Sequence, residues 1–328
     1  MNHIPVLLNE VLGALAPGDG EIYIDGTFGA GGYSRAIMAA ANCRVVALDR
    51  DPHVKPHALI LQKEFGSRFS FSETEFSKLD QVTNGKKVDG VVLDIGVSSM
   101  QLDQAERGFS FQKSGPLDMR MSGDGVSAAD VVAHFTHSEL VRVFKVYGDE
   151  KRAKRCADFI VRERETAPII TTDSLAEVVS AALGRSGKRH PATRVFQALR
   201  IYVNDELGEL YRALLAAERI LRPGGRLVVV TFHSLEDRLV KSFFNQRTGK
   251  KSSSSRYVPE SPDQGPSATF TSRGKQGKSA SDAEIKANPR ARSARIRYGI
   301  RTEASAYEGE IPVIPGLPNL DEFSRRVA

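Results

Sequence analysis

Short apolar runs alternate with helical spacing through the first hundred residues. Glu21 to Ile24 reads as a strand ending in Asp25, Ser34 to Ala41 as a helix, and Arg44 to Leu48 as a second strand ending in Asp49. Phe69 to Ser72 is a weaker third strand, and Val88 to Leu93 is a clear fourth ending in Asp94. Strands alternating with helices predict an α/β fold with a parallel, doubly wound sheet. Such sheets bind ligands beyond the carboxyl ends of their strands, which is where Asp25, Asp49 and Asp94 fall.

From about residue 106 the pattern changes. Polar, glycine-rich sequence gives way to helical periodicity from Ala128 through Phe144, from Ala153 to Arg164 and from Ser174 to Leu183, with no strong strand before residue 200. The sheet pattern resumes after a helix at Glu206 to Leu221. A tight turn, Arg222-Pro223-Gly224-Gly225, leads into a strand from Arg226 to Phe232, and a helix follows from Leu235 to Phe244. The expected organisation is a discontinuous sheet domain, 1–105 and 205–300, interrupted by a helical insertion, 106–204. Residues 249–283, rich in Ser, Gly, Lys and Pro, are expected to form a mobile basic loop, and 301–328 an irregular tail.

Composition narrows the class. A chain of 328 residues that is 41% hydrophobic can fill a real core. Its first residues lack a cationic leader and no eighteen apolar residues run together, so a cytoplasmic protein with neither signal peptide nor membrane span is expected. Cys43 and Cys156 stand apart from any Cys/His cluster, so neither a disulfide framework nor a metal site is expected. The net charge of +6 is uneven, with twelve Lys/Arg against four acids between Asn245 and Ile300. That segment is either the footprint of a polyanion binder or a solvated loop kept soluble by its charge.

The run Asp25-Gly26-Thr27-Phe28-Gly29-Ala30-Gly31-Gly32-Tyr33 lies between a strand and a helix, where glycines let the backbone approach a nucleotide-like ligand. Many such turns need glycine for geometry alone. Asp49, at the end of the next strand and twenty residues after Gly29, adds a carboxylate able to accept ribose hydroxyls. The pair suits NAD or S-adenosylmethionine. A dinucleotide fingerprint asks for a further glycine where Ser34 stands. Asp94 in Asp94-Ile95-Gly96-Val97-Ser98-Ser99, with Leu221 to Gly225 before an apolar strand, completes a pattern found across S-adenosylmethionine methyltransferases.

Longer runs resemble one family, the MraW/RsmH type 16S rRNA (cytosine-N4)-methyltransferases. They are His3 to Glu10, Asp25 to Ser34, Leu48 to Pro52, Leu93 to Ser99, Glu106 to Phe111, Gly115 to Met121, His190 to Arg194, Phe232 to Arg238 and Asn288 to Ser293. The resemblance implies a Rossmann-like class I methyltransferase domain with an inserted helical substrate-recognition domain. It also implies S-adenosylmethionine contacts from Gly31, Gly32, Tyr33, Asp49, Phe76, Asp94 and Gln101. The implied substrate is the exocyclic N4 of a cytidine in the decoding region, the ribosomal P site, of 16S rRNA in the small subunit, with no DNA or membrane partner. Tyr33 stands where relatives often have His, which leaves a backbone contact there, and Met100 where Pro is common.

The chemistry expected is in-line displacement by a cytosine amine whose lone pair is delocalised into the ring, so an acceptor for its protons and good alignment both help. Asp94 is the candidate catalytic residue. It holds the first position of the Asp/Asn-Pro-Pro-Tyr motif of amino-methyltransferases, with Ile95-Gly96-Val97 replacing the rest. Ser98 and Ser99 are expected to frame the amine, and His233 and Ser234 to line the base pocket, His233 being equally suited to cap the next helix. Arg120, His190, Arg194 and Arg200 are candidates for holding RNA or for structural ion pairs, with Asp118 beside Arg120. Arg292, Arg295 and Arg297 are expected to grip phosphates. The competing readings are an amino-methyltransferase acting on DNA or a small molecule, and a non-catalytic module that binds S-adenosylmethionine or RNA.

Overall fold

A computed structural model describes residues 5–184, 190–249, 267–272 and 276–308. Most of the expected basic loop, 250–266 and 273–275, and most of the expected tail, 309–328, lie outside the described residues. The chain divides into two compact units, one running to Gly96 and resuming at Glu209, the other Val97–Gly208.

The first unit is built on a twisted sheet. Its elements begin with α1 (Leu8–Leu15), β1 (Ile22–Asp25), α2 (Gly32–Ala40), β2 (Arg44–Asp49), α3 (Lys55–Phe65), β3 (Phe69–Glu73) and β4 (Val88–Asp94). In the second unit follow α4 (Ser99–Asp103), α5 (Ala128–His134), α6 (His137–Gly148), α7 (Ala153–Arg164), α8 (Thr172–Leu183) and α9 (Thr193–Val203). The helix α10 (Glu206–Ile220) leads back to β5 (Leu221–Thr231) and α11 (Ser234–Arg247). The short strands β6 (Phe270–Thr271) and β7 (Lys278–Ser279), the helix α12 (Asp282–Ala287) and the strand β8 (Arg295–Arg301) complete the described chain.

Strand order is β3-β2-β1-β4-β5-β8-β6, with β7 also pairing with β8. The first five strands are parallel. Both faces of such a sheet are covered, so its strands carry near-continuous apolar runs rather than alternation. Six of the seven residues of β4 are buried, and so are Leu227 to Thr231 of β5. The expected turn at Arg222 to Gly225 loops out within β5: Val88 pairs with Leu221 and Gly90 with Arg226.

Against β5, β8 runs antiparallel, with Val229 opposite Arg297 and Thr231 opposite Arg295. Of the arginines expected to grip phosphates, Arg297 is committed elsewhere. Arg297 is buried and its guanidinium grips both oxygens of Asp237, 2.8 and 3.0 Å away. Ile296, Tyr298 and Ile300 alternate along the strand with Arg295, Arg297, Gly299 and Arg301, and Arg297 and Arg301 are buried as well as Ile296.

The second unit is helical. The periodicity expected to continue from Ala128 through Phe144 breaks at Phe135. Thr136 caps a new helix there, accepting the Glu139 N–H while the Glu139 carboxylate takes the Thr136 N–H at 2.9 Å. Such a reciprocal box satisfies two otherwise orphaned donors and fixes a helix start. Leu140, Val143 and Phe144 of α6, Ile160 of α7, and Val195 and Leu199 of α9 fill the core. The irregular stretch before α5 is pinned by the buried Asn204, whose amide donates to the Met119 carbonyl at 2.8 Å and accepts the Met121 N–H at 2.9 Å. Met119 needs that anchor, because it sits at φ +64, where side chains are strained.

Candidate functional site

In a parallel sheet all carboxyl ends face one way. The order places β1 beside both β2 and β4, and connections leave this pair toward opposite edges. That switch point leaves a crevice at the strand ends. Into it come the loop after β1, Asp49 after β2, Phe76 after β3, Asp94 after β4 and His233 after β5.

The glycine loop is stitched to the sheet on both sides. Gly26 N–H donates to the Val92 carbonyl of β4 at 3.0 Å, and Phe28 N–H to the Leu48 carbonyl of β2 at 2.9 Å. Gly31 lies at φ +80, and a Cβ there would come 2.8 Å from the Phe28 ring; a Cβ on Gly32 would come 2.3 Å from Pro5. Only glycine fits at both positions, because Phe28 and Pro5 pack where a side chain would begin. Phe76 lies over the start of the loop, its Cβ 3.3 Å from where a Gly26 Cβ would stand.

The three acids differ in what they can do. Asp25 is fully buried and spent on the fold: one oxygen accepts the Ser34 hydroxyl at 2.7 Å and its N–H at 3.1 Å, the other the Thr27 N–H at 3.3 Å. It fastens β1 to the first turn of α2 and offers a ligand field rather than contact. Asp49 accepts Gly29 N–H at 2.8 Å and Asp51 N–H at 2.9 Å, one on each oxygen, with lone pairs remaining for hydroxyl donors. Burial pushes both carboxyls up to about 6, opposed by these hydrogen bonds. Asp94 is placed through its backbone, whose N–H donates to the Thr27 hydroxyl at 2.6 Å. Its Oδ1 is buried and has no hydrogen-bond partner among the described residues. Burial, then the charges of Asp25 and Glu236, hold the Asp94 carboxyl well above the usual range.

Beside Asp94 in the sheet, β5 is followed by Phe232-His233-Ser234. The capping role of His233 is the one observed: its Nδ1 accepts the Glu236 N–H at 3.4 Å, and Glu236 takes the N–H groups of Phe232 at 2.7 Å and His233 at 3.1 Å. Ser234 is exposed on the first turn of α11. Sequence reasoning passed over Glu236, a fully buried carboxyl whose charge reaches Asp94. Its signal was the capping spacing His233-Ser234-Leu235-Glu236. Tyr33 is buried and its hydroxyl donates to the Val6 carbonyl, so its side chain is spent and its backbone remains.

In the second unit Ser98 and Gln101 cap α4 reciprocally, Ser98 N–H to Gln101 Oε1 at 2.9 Å and Gln101 N–H to Ser98 Oγ at 3.2 Å, with Ser99 half-buried between them. All three of the proposed RNA-holding arginines are in ion pairs, Arg194 in the longest of them, with the buried Glu150. Arg120 grips Asp118 through two bonds of 2.9 and 2.7 Å, and Arg200 grips Glu206 through two of 2.6 and 2.7 Å. Arg194 is half exposed, 3.9 Å from Glu150, and His190 is exposed.

A sulfonium cofactor fits this crevice. A cluster of carboxyls raised chiefly by burial favours a cation beside it, and the orphaned Asp94 oxygen lacks the donor that a buried acceptor needs. A doubly wound sheet with a glycine loop after its first strand and acids at the ends of the next strand and of the fourth is the arrangement of an S-adenosylmethionine-dependent methyltransferase. Residues 1–301 match the model of the MraW methylase family, and the chain belongs to that family. It is similar to proteins named ribosomal RNA small subunit methyltransferase H. That of Maricaulis maris (strain MCS10) is 56% identical over 310 residues, covering 93% of this chain and 92% of that one. That of Rhizobium etli is 55% identical over 327 residues, covering 99% and 94%, and that of Brucella ovis 53% over 334 residues, covering 99% and 95%.

Proposed function

We propose that the chain methylates the exocyclic N4 of a cytidine in the decoding region of 16S rRNA, in the small ribosomal subunit. The names of relatives more than half identical over nearly the whole chain support the substrate class. The observation that carries the chemistry is the buried, unpartnered Oδ1 of Asp94 at the end of β4. S-adenosylmethionine, when bound, supplies an electrophilic methyl group. Gly31, Gly32 and the backbone of Tyr33 approach it, Asp49 accepts ribose hydroxyls and Phe76 covers the loop. The unpartnered Asp94 Oδ1 accepts a hydrogen bond from the amine, which helps localise the nitrogen lone pair, and takes the proton released as the C–N bond forms and the S–C bond breaks. Gln101 is assigned to the cofactor, and the unit Val97–Gly208, with Ser98, Ser99, His190 and Arg194, to substrate recognition.

Mass spectrometry of small-subunit rRNA from cells with and without the active gene product is expected to differ by one methylated cytidine. With saturating S-adenosylmethionine, Asp94→Ala is expected to lower kcat by about 100-fold or more. Undiminished turnover removes Asp94 from the chemistry.

A further inference from the structure

In the helical unit, two rings stack at the surface. The imidazole of His190 lies with its centroid 4.6 Å from that of Phe111, the planes 31° apart. Phe111 is half-buried and is itself held by the edge of Phe196 on α9, 4.9 Å away at 71°. His190 Nδ1 accepts the Ala192 N–H at 3.2 Å, so the ring is fixed in orientation as well as in stacking. His190 is nevertheless exposed, and Phe111 backs the ring. Arg194 follows on the first turn of α9 with its guanidinium half exposed.

An exposed, preorganised aromatic surface with a cation nearby is the arrangement that receives an unstacked base, because proteins read single-stranded RNA by stacking bases on aromatic rings and pairing phosphates with arginine. We propose that His190, backed by Phe111, is a stacking platform for an unpaired base of the RNA substrate, with Arg194 meeting the adjoining phosphate. This rests on the reading of rRNA as substrate. It gives His190 a role that depends on its ring and not on its proton, and it brings in Phe111 as support.

The test is equilibrium filter binding of 16S rRNA to the full chain, comparing the unaltered protein with His190→Ala and His190→Phe, each with its thermal melt recorded. His190→Ala is expected to weaken binding by about 5- to 100-fold, the range for one stacked base, and by the same factor from about 50 to about 200 mM salt, since stacking releases no counterions. His190→Phe, which keeps a ring and discards both nitrogens, is expected to recover most of the affinity. Binding by His190→Ala equal to that of the unaltered protein overturns the platform, and so does His190→Phe binding as weakly as His190→Ala. A failure of the unaltered protein to bind rRNA at all overturns both the platform and the substrate on which it rests, which separates the two.

Discussion

Asp25 and Asp49 are carboxyls whose burial costs the fold stability. Both hold protons up to about pH 6 in the folded chain against an ordinary value of 3.8, because burial disfavours the charged form. The folded state therefore binds more protons than the unfolded state between those values, and stability falls as pH rises through that window. The full loss, about 3 kcal/mol for each, is present above about pH 6. A cation placed among these groups reverses the penalty. The S-adenosylmethionine Kd is expected to tighten as pH rises through about 6. S-adenosylhomocysteine, whose sulfur is neutral, should respond much less. Isothermal titration of both ligands across that range checks this, and equal slopes for the two would sink it.

Arginines of one strand differ in whether a neighbour holds them. Arg297, locked to Asp237, ties β8 to α11, whereas Arg295 two residues earlier is exposed at the same end of the sheet as Asp94. Arg297→Ala is expected to cost on the order of 2 kcal/mol of stability in chemical denaturation, since it leaves Asp237 half-hidden and unpaired. Arg295→Ala should leave the denaturation midpoint in place and weaken rRNA binding. The reverse assignment of losses would show that the strand is mounted differently.

Much of the sheet was legible because its parallel strands are short apolar runs ending in Asp25, Asp49 and Asp94, and nothing competes with that signal. The strand β8 was not, because its charge drew attention away from its period of two. The break at Phe135 was written in Thr136 and Glu139, and the helix α9 in its apolar spacing at Val195, Phe196, Leu199 and Val203. At the site, the spacing of the acids announced a cofactor crevice. It did not tell Asp25, which is sealed, from Asp94, which is not, since that difference depends on where Ser34 and Thr27 direct their donors.

Charge acts on the molecule as a whole. Of the twelve cations between Asn245 and Ile300, Arg247 and Arg297 are consumed by Glu218 and Asp237, so at most ten remain to meet phosphates. At about 0.7 counterions released per phosphate contact, this segment's share of the slope of log affinity for rRNA against log salt should be steep yet shallower than about −7. A flat response would deny this segment any role in holding RNA.

The order of strands also bears on how the chain is born. Asp94 ends β4 and Leu221 begins β5, so on the ribosome the apolar edge of β4 waits for its neighbour while the whole helical unit is made. At about 5 to 20 residues per second that wait lasts on the order of 10 s. An open, apolar strand edge is an invitation to aggregate, so early collapse of Val97–Gly208 into its own unit would bring β5 to that edge sooner than a floppy connection of the same length.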